Sequence, residues 1–136
     1  MASLEQHISV LSRAMDLRTQ RHQVLASNIA NADTPNYKAR DFSFEAAMQN
    51  AIAGRAEAGG VDMARTVAGH LSGSGVGGQA ALKFRTESQS AVDGNTVDMD
   101  VERAQITDNA LQYQILTQLI NEKFKGMRNA LATTSG

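Results

Sequence analysis

The sequence predicts a mainly α protein in which two long amphipathic helices, one at each end of the chain, pack as a coiled-coil-like pair. Three observations carry this expectation. Apolar residues recur at helical spacing in both terminal arms. Leu, Ile, Val and Phe number 8 in residues 1–34 and 10 in residues 95–136, but only Val61, Val67, Leu71 and Val76 in residues 54–80. Eight of the 11 glycines fall in that same central stretch. The chain of 136 residues therefore divides into an N-terminal helical arm (1–34), a middle segment with a turn, a short helix and a glycine-rich run (35–92), and a C-terminal helical arm (93–136).

In the first arm Leu4, Ile8, Leu11, Met15, Leu25, Ile29 and Ala32 lie on one stripe by steps of three, four or seven, which predicts a helix over residues 3–31. Arg18 and His22 interrupt that stripe, and polar groups at a seam specify register or partner more than they stabilise. Arg13, Arg18 and Arg21 read as a solvated or partner-facing set. The helix should stop near Asp33-Thr34-Pro35, because the residue before proline is disfavoured in the α region.

The second arm opens with Asp93-Gly94-Asn95-Thr96, a turn followed by capping residues. Asp98, Asp100 and Glu102 then suit the positive end of a helix dipole, and Lys123, Lys125 and Arg128 its negative end. Val97, Val101, Ala104, Leu111, Ile115 and Leu119 make one stripe; Tyr113, Leu116, Ile120, Phe124, Met127 and Leu131 make an adjacent one. A helix of about 34 residues would be near 50 Å long. Its apolar face is too wide for one neighbouring helix to cover.

Between the arms, Phe44, Ala47, Met48, Ala51 and Ile52 predict a short helix after Ser43, and the alternation Leu82, Phe84, Thr86 predicts a brief strand. Burying the four Val and Leu side chains of residues 54–80 returns about 6 to 12 kcal/mol. Ordering that stretch of backbone costs about 27 to 54 kcal/mol, so it should be mobile unless a partner orders it.

Composition narrows the chemistry. A formal net charge of -1 and no basic tail argue against nucleic acid binding. Without cysteine there is neither a disulfide nor a thiol nucleophile. No apolar run approaches the ~18 residues of a membrane span, and polar residues break every candidate secretory h-region. Nucleotide-binding, hydrolase and zinc-protease motifs are absent. The glycine run at 72–78 lacks the Lys-Ser/Thr of a phosphate loop and reads as a linker. His7, His22 and His70 are scattered, which does not suit a metal. The sequence thus predicts no catalytic residues, no metal, no cofactor and no small-molecule substrate.

One segment is unusually specific: Ala26-Ser27-Asn28-Ile29-Ala30-Asn31, followed by Thr34-Pro35-Asn36-Tyr37-Lys38. Its small residues let another backbone approach, and the Asn28 and Asn31 amides can donate and accept across such a contact. Thr34-Pro35-Asn36-Tyr37 has the composition of a turn, with proline second and an asparagine that tolerates positive φ third. These residues resemble the N-terminal signature of the bacterial flagellar rod and hook proteins. Residues 38–42, the short length, and 93–98 leading into Asn109-Ala110-Leu111-Gln112-Tyr113-Gln114 are most similar to proximal rod members of that family. Asn36 stands where the family usually has glycine, and asparagine can adopt the same backbone shape.

The resemblance implies a structural subunit, not an enzyme, exported by the flagellar type III system without a cleaved signal and polymerising into a periplasmic rod. Its partners would be copies of itself, other rod proteins, and ring and export-gate components of the basal body. The assembly motif would be Ala26, Ser27, Asn28, Ile29, Ala30, Asn31, Thr34, Pro35, Asn36, Tyr37 and Lys38. Subunit contacts would fall on Leu4, Ile8, Leu11, Leu111, Ile115, Leu119 and Ile120. The end helices carry more apolar surface than one chain can cover, which fits a helical polymer. Two alternatives stand beside this reading: another proximal rod protein of the same family, and a small soluble helical adaptor or chaperone that binds a partner helix. Limited proteolysis of the isolated protein should cut first within residues 54–78; cleavage confined to the terminal arms would contradict the proposed organisation.

Overall fold

The computed structural model describes residues 3–53, 80–85 and 92–133. Five elements follow in order: α1 (Leu4–Ala30), β1 (Arg40–Asp41), α2 (Phe44–Ile52), β2 (Lys83–Phe84) and α3 (Met99–Thr133). The mainly α architecture with two long terminal helices is as the sequence predicts. The stretch 54–78 and Thr86 of the expected strand lie outside the described residues.

Helix α1 begins with a capping box. Gln6 N–H donates to Ser3 Oγ at 3.3 Å, and Ser3 N–H donates to Gln6 Oε1 at 2.7 Å. It ends at Ala30, before the Asp33-Thr34-Pro35 stop read from sequence. The amide of Asn31 turns back to the Ser27 carbonyl at 2.8 Å, so local capping ends the helix before proline can act. Ser43 caps α2 by accepting from Ala46 N–H at 3.4 Å. β1 and β2 form a two-residue antiparallel ladder, with Arg40 opposite Phe84 and Asp41 opposite Lys83; the sequence pattern gave no sign of β1.

The helices α1 and α3 run antiparallel. Contacts between Asn28 and Glu102, Arg21 and Gln105, and Arg18 and Asn109 step down α1 as they step up α3. On α3 the positions turned inward, Glu102, Gln105 and Asn109, continue at the same three-and-four spacing as the half-buried Gln112, Leu116 and Ile120. The seam is therefore polar for its first turns. It also departs in part from the stripe expected on α1: Leu25 of that stripe is buried, but so are Ala14, Leu17 and Asn28 outside it, while Leu4 is 39% exposed. The α1 face is chosen by its polar and small residues as well as by its leucines, because α2, β1 and α3 all dock there.

A small apolar core holds α2 in place: Leu17, Phe42, Ala47 and Ala80 are buried, with Val24, Phe44, Met48 and Ala51 packed against them. Of three arginines expected at a solvated or partner-facing surface, Arg13 stays exposed and Arg18 and Arg21 are half-buried. Arg13 donates to the Ala51 carbonyl. Arg18 stacks 3.7 Å above the Phe44 ring centroid. Arg21 donates to both oxygens of Asp41 at 3.0 Å and to Gln105 Oε1 at 2.7 Å. Burial, together with the neighbouring Arg21 charge, lowers the Arg18 pKa from its ordinary value. Glu102, expected to serve the helix dipole, is fully buried and bound to Arg85.

Burial alone would raise the Asp41 carboxyl, but hydrogen bonds from Arg21, the Phe42 N–H and Arg85 hold it below its usual range. The bond to Asp41, acting against burial, correspondingly raises Arg21. A carboxyl depressed by folding stabilises the fold in full above its unfolded pKa of about 3.9. That contribution fades as pH falls through the lower folded value. Asp41→Asn should therefore lose about 2 to 4 kcal/mol near pH 7, where Arg21 and Arg85 lose a charged partner, and less below pH ~4. Urea melts at pH 7 and pH 3 check this: a mutational cost independent of pH would refute it.

Candidate functional site

The specific segment of the sequence folds as the hub of the chain. Asn28 has no exposed surface. Its Nδ2 donates to the Arg40 carbonyl at 2.7 Å and to Glu102 Oε2 at 3.3 Å, while its Oδ1 accepts from Arg40 N–H at 3.0 Å. The Tyr37 hydroxyl approaches the same Oδ1 at 3.4 Å. One amide thus occupies the free edge of β1 and reaches α3. Asn31 likewise acts within the chain, bonding to the Ser27 carbonyl and accepting from the Thr34 hydroxyl at 3.1 Å.

The turn beyond α1 closes with Tyr37 N–H donating to the Thr34 carbonyl at 3.3 Å. Asn36 takes φ 59° at the third position, which fits a type II turn with proline second. Residues 93–96 pack directly onto it. Asn36 N–H donates to the Asp93 carbonyl, and Thr96 N–H to the Tyr37 carbonyl, both at 3.0 Å. Lys38 Nζ donates to the Gly94 carbonyl, and Ala39 N–H to Thr96 Oγ1, both at 2.8 Å.

Asn95, expected to cap its own helix, also ties down the turns that follow α1. Its Nδ2 contacts the carbonyls of Asn31 and Ala32 at 2.9 Å and of Thr34 at 2.8 Å, while its Oδ1 accepts from Val97 N–H at 2.8 Å. The cap of α3 is Asp98, whose Oδ1 accepts from the N–H groups of Asp100 and Val101. Sequence reasoning also missed Arg21, Asp41, Arg85, Glu102 and Asn109 as a connected polar interior. The one visible signal was Glu102, Gln105, Asn109 and Gln112 at seam spacing in a long helix; nothing in the sequence marked Arg85.

The predicted contact residues separate into two groups. On α1, Leu4 is exposed while Ile8 and Leu11 are half-buried. On α3, Leu111, Ile115 and Leu119 are 55%, 43% and 40% exposed, whereas Ile120 lies half-buried on the α1 side. Tyr113, Phe124, Met127 and Leu131 are exposed as well, and every residue from 121 to 132 is exposed. Over the first turns of α3 the pair is inverted relative to an ordinary helical hairpin, with Glu102, Gln105 and Asn109 inside; further along, Leu116 and Ile120 take the inner side while Leu111, Ile115 and Leu119 face outward. Among the described residues no group of three His, Asp or Glu side chains could hold a metal, and no helix is long and apolar enough to cross a membrane.

A family model described as "Flagella basal body rod protein" matches residues 8–38, the span from the first turns of α1 through the Asn36 turn. The chain is 45% identical over 120 residues to the flagellar basal body rod protein FlgB of Salmonella typhimurium, covering 87% of each. It is 43% identical to FlgB of Escherichia coli over the same shares, and 34% identical over 131 residues to FlgB of Cereibacter sphaeroides, covering 96% and 98%. The chain belongs to the FlgB family of flagellar basal body rod proteins. In this FlgB-family chain the family-model match ends at Lys38, the residue whose ammonium fastens the turn to Gly94. The similarity to FlgB extends well beyond that match and does not favour the adaptor alternative.

Gly94 has φ 75°, and a β-carbon there would stand 2.6 Å from Asn36 Oδ1. Gly94→Ala should therefore cost about 1 to 3 kcal/mol from the left-handed backbone and the displaced Asn36 side chain. Asn36→Val should cost a similar amount, since β-branching resists positive φ. Urea denaturation would read both; unchanged midpoints would remove the tight turn-to-turn contact from the account of the fold.

Proposed function

We propose that this chain is a structural subunit of the proximal rod of the bacterial flagellar basal body. It polymerises through its terminal helices into the drive shaft that transmits torque. FlgB-family membership supports a rod protein, and the outward apolar face of α3 is the observation that carries the polymer reading. Covering the exposed parts of Leu111, Tyr113, Ile115, Leu119, Phe124, Met127 and Leu131 would return about 5 to 10 kcal/mol before the costs of association. No element within the described residues supplies that cover. Neighbours in a tube of parallel subunits would supply it along the whole helix, and packed helices carry torque without any reacting group.

On this reading the partners are further copies of the chain, other rod proteins, and the ring and export-gate components at the base of the rod. The subunit leaves the cytoplasm through the flagellar type III system without a cleaved signal and works in the periplasm. The assembly motif, residues 26–31 and 34–38, acts by setting the shape of the subunit at the turn. Leu4, Leu111, Ile115 and Leu119 are its contact residues; Ile8, Leu11 and Ile120 contribute their remaining exposed surface.

The test is Ile115→Asp with Leu119→Asp in a strain lacking the native protein. Both side chains already meet water in the single chain, so the variant should remain soluble and be exported. Inside a polymer each unpaired carboxylate would cost several kcal/mol of desolvation. Immunoblots of purified basal bodies should then lack the variant, and motility should be lost. Incorporation at the wild-type level would overturn the interface, and aggregation on expression would mean that the face is an internal core.

A further inference from the structure

Residues 80–85 run as a short strap held to α1 at one end and to β1 and α3 at the other, where the Arg85 side chain supplies its ion pairs. The Arg85 guanidinium donates to Asp41 Oδ2 at 3.0 Å and to Glu102 Oε1. Its backbone N–H donates to the Ala39 carbonyl at 2.9 Å. At the other end Ala80 is buried, with its N–H donating to Gln20 Oε1 at 3.3 Å. Between them, Leu82 and Phe84 are 48% and 69% exposed, with the Arg40 guanidinium 5.6 Å from the Phe84 ring centroid, so apolar burial of the strap is confined to its Ala80 end. A two-residue ladder is far below what is independently stable in water.

The surface beneath the strap is built for a guanidinium. The Glu102 side chain is fully buried, and its partners are Arg85 and the neutral Asn28 amide. Asp41 faces Arg21 from α1 and Arg85 from the strap. With the strap in place, two carboxylates meet two guanidiniums; without Arg85 the same site carries one net negative charge. The contacts of Asn28 with β1, Asn95 with the turn, and Asn109 with α1 do not involve the strap.

We propose that residues 80–85 form a latch pinned by Arg85, which opens and closes while the α1–α3 pair stays folded. Closed, it neutralises Asp41 and Glu102 and forms one wall of the groove lined by Val24, Tyr37 and Phe42 of the hub and by Ala80 and Leu82 of the strap. Open, it removes that wall and leaves Asp41 and Glu102 with Arg21 as their one remaining guanidinium. This inference does not depend on the polymer reading above.

Hydrogen exchange of the full chain tests it. In Arg85→Gln the Arg85-position amide should exchange about tenfold or more faster, the change expected on losing a charge-assisted hydrogen bond. The Thr96 amide and the amides of α3 should stay within about twofold of wild type. Because Glu102 could be left buried without a cation, Arg85→Gln with Glu102→Gln removes the charge from both sides, and the same selective release is expected there. The chain has no cysteine, so Arg40→Cys with Phe84→Cys, at paired ladder positions, should form a disulfide within one chain that restores slow exchange at residue 85. Three results would overturn the latch: unchanged strap protection in both glutamine variants, loss of helix protection together with the strap in the double variant, or a disulfide that joins two chains.

Discussion

The carboxamide of Asn28 is the contact on which the remaining structure depends. It is fully buried, and its donors and acceptor serve the Arg40 backbone and Glu102 together. Through Arg40 it fixes where the chain returns after the Asn36 turn, and so where Asp41 meets Arg21 and Arg85. Through Glu102 it sets the axial register of α3. A buried amide is costly unless its hydrogen bonds are made, so only an arrangement that supplies all these partners is stable. Asn95 then completes the hub from the approach to α3 by donating to the carbonyls of Asn31, Ala32 and Thr34 in the turns after α1.

This polar interior explains the inverted helix pair. An apolar seam would tolerate sliding by a turn, because one aliphatic contact resembles the next. A seam of Asn28, Arg21 and the Arg18 carbonyl against Glu102, Gln105 and Asn109 does not. Each slip leaves donors and acceptors buried without partners, at about 1 to 3 kcal/mol apiece. Leu111, Ile115 and Leu119 of α3 are thereby left for the outer face. In a rod protein the consequence is a division of labour along one helix, with polar groups fixing the shape of the subunit and apolar groups available to its neighbours.

Much of this was legible in the sequence. Helix extents followed from apolar periodicity, which is local. The positive φ of Asn36 followed from its place after Pro35. The outward face of α3 followed from a count of stripes against available neighbours. What escaped was long-range and polar. Arg21 pairs with a carboxylate 20 residues away, and Arg85 with one 44 away. Charged residues in an amphipathic pattern default to solvent because no local rule distinguishes a paired charge from a free one. Asn95 misled for a related reason: an asparagine before a helix is a good cap, and only tertiary structure shows that it also holds the turns after α1.

The sequence separation of the hub contacts bears on when the fold can form. Asn28 meets Glu102 across 74 positions, Arg21 meets Gln105 across 84, and Asn109 meets Arg18 across 91. Closing loops of that size costs about 4 kcal/mol of chain entropy before any contact is gained. Topologies dominated by such distant contacts fold slowly. The first helix has no hub until nearly the whole chain is available, since both Asn95 and Glu102 come late. In a nascent chain the contacts of α1 with β1 and α2 are therefore available early, but the packing of α1 on α3 is committed only when the last third arrives.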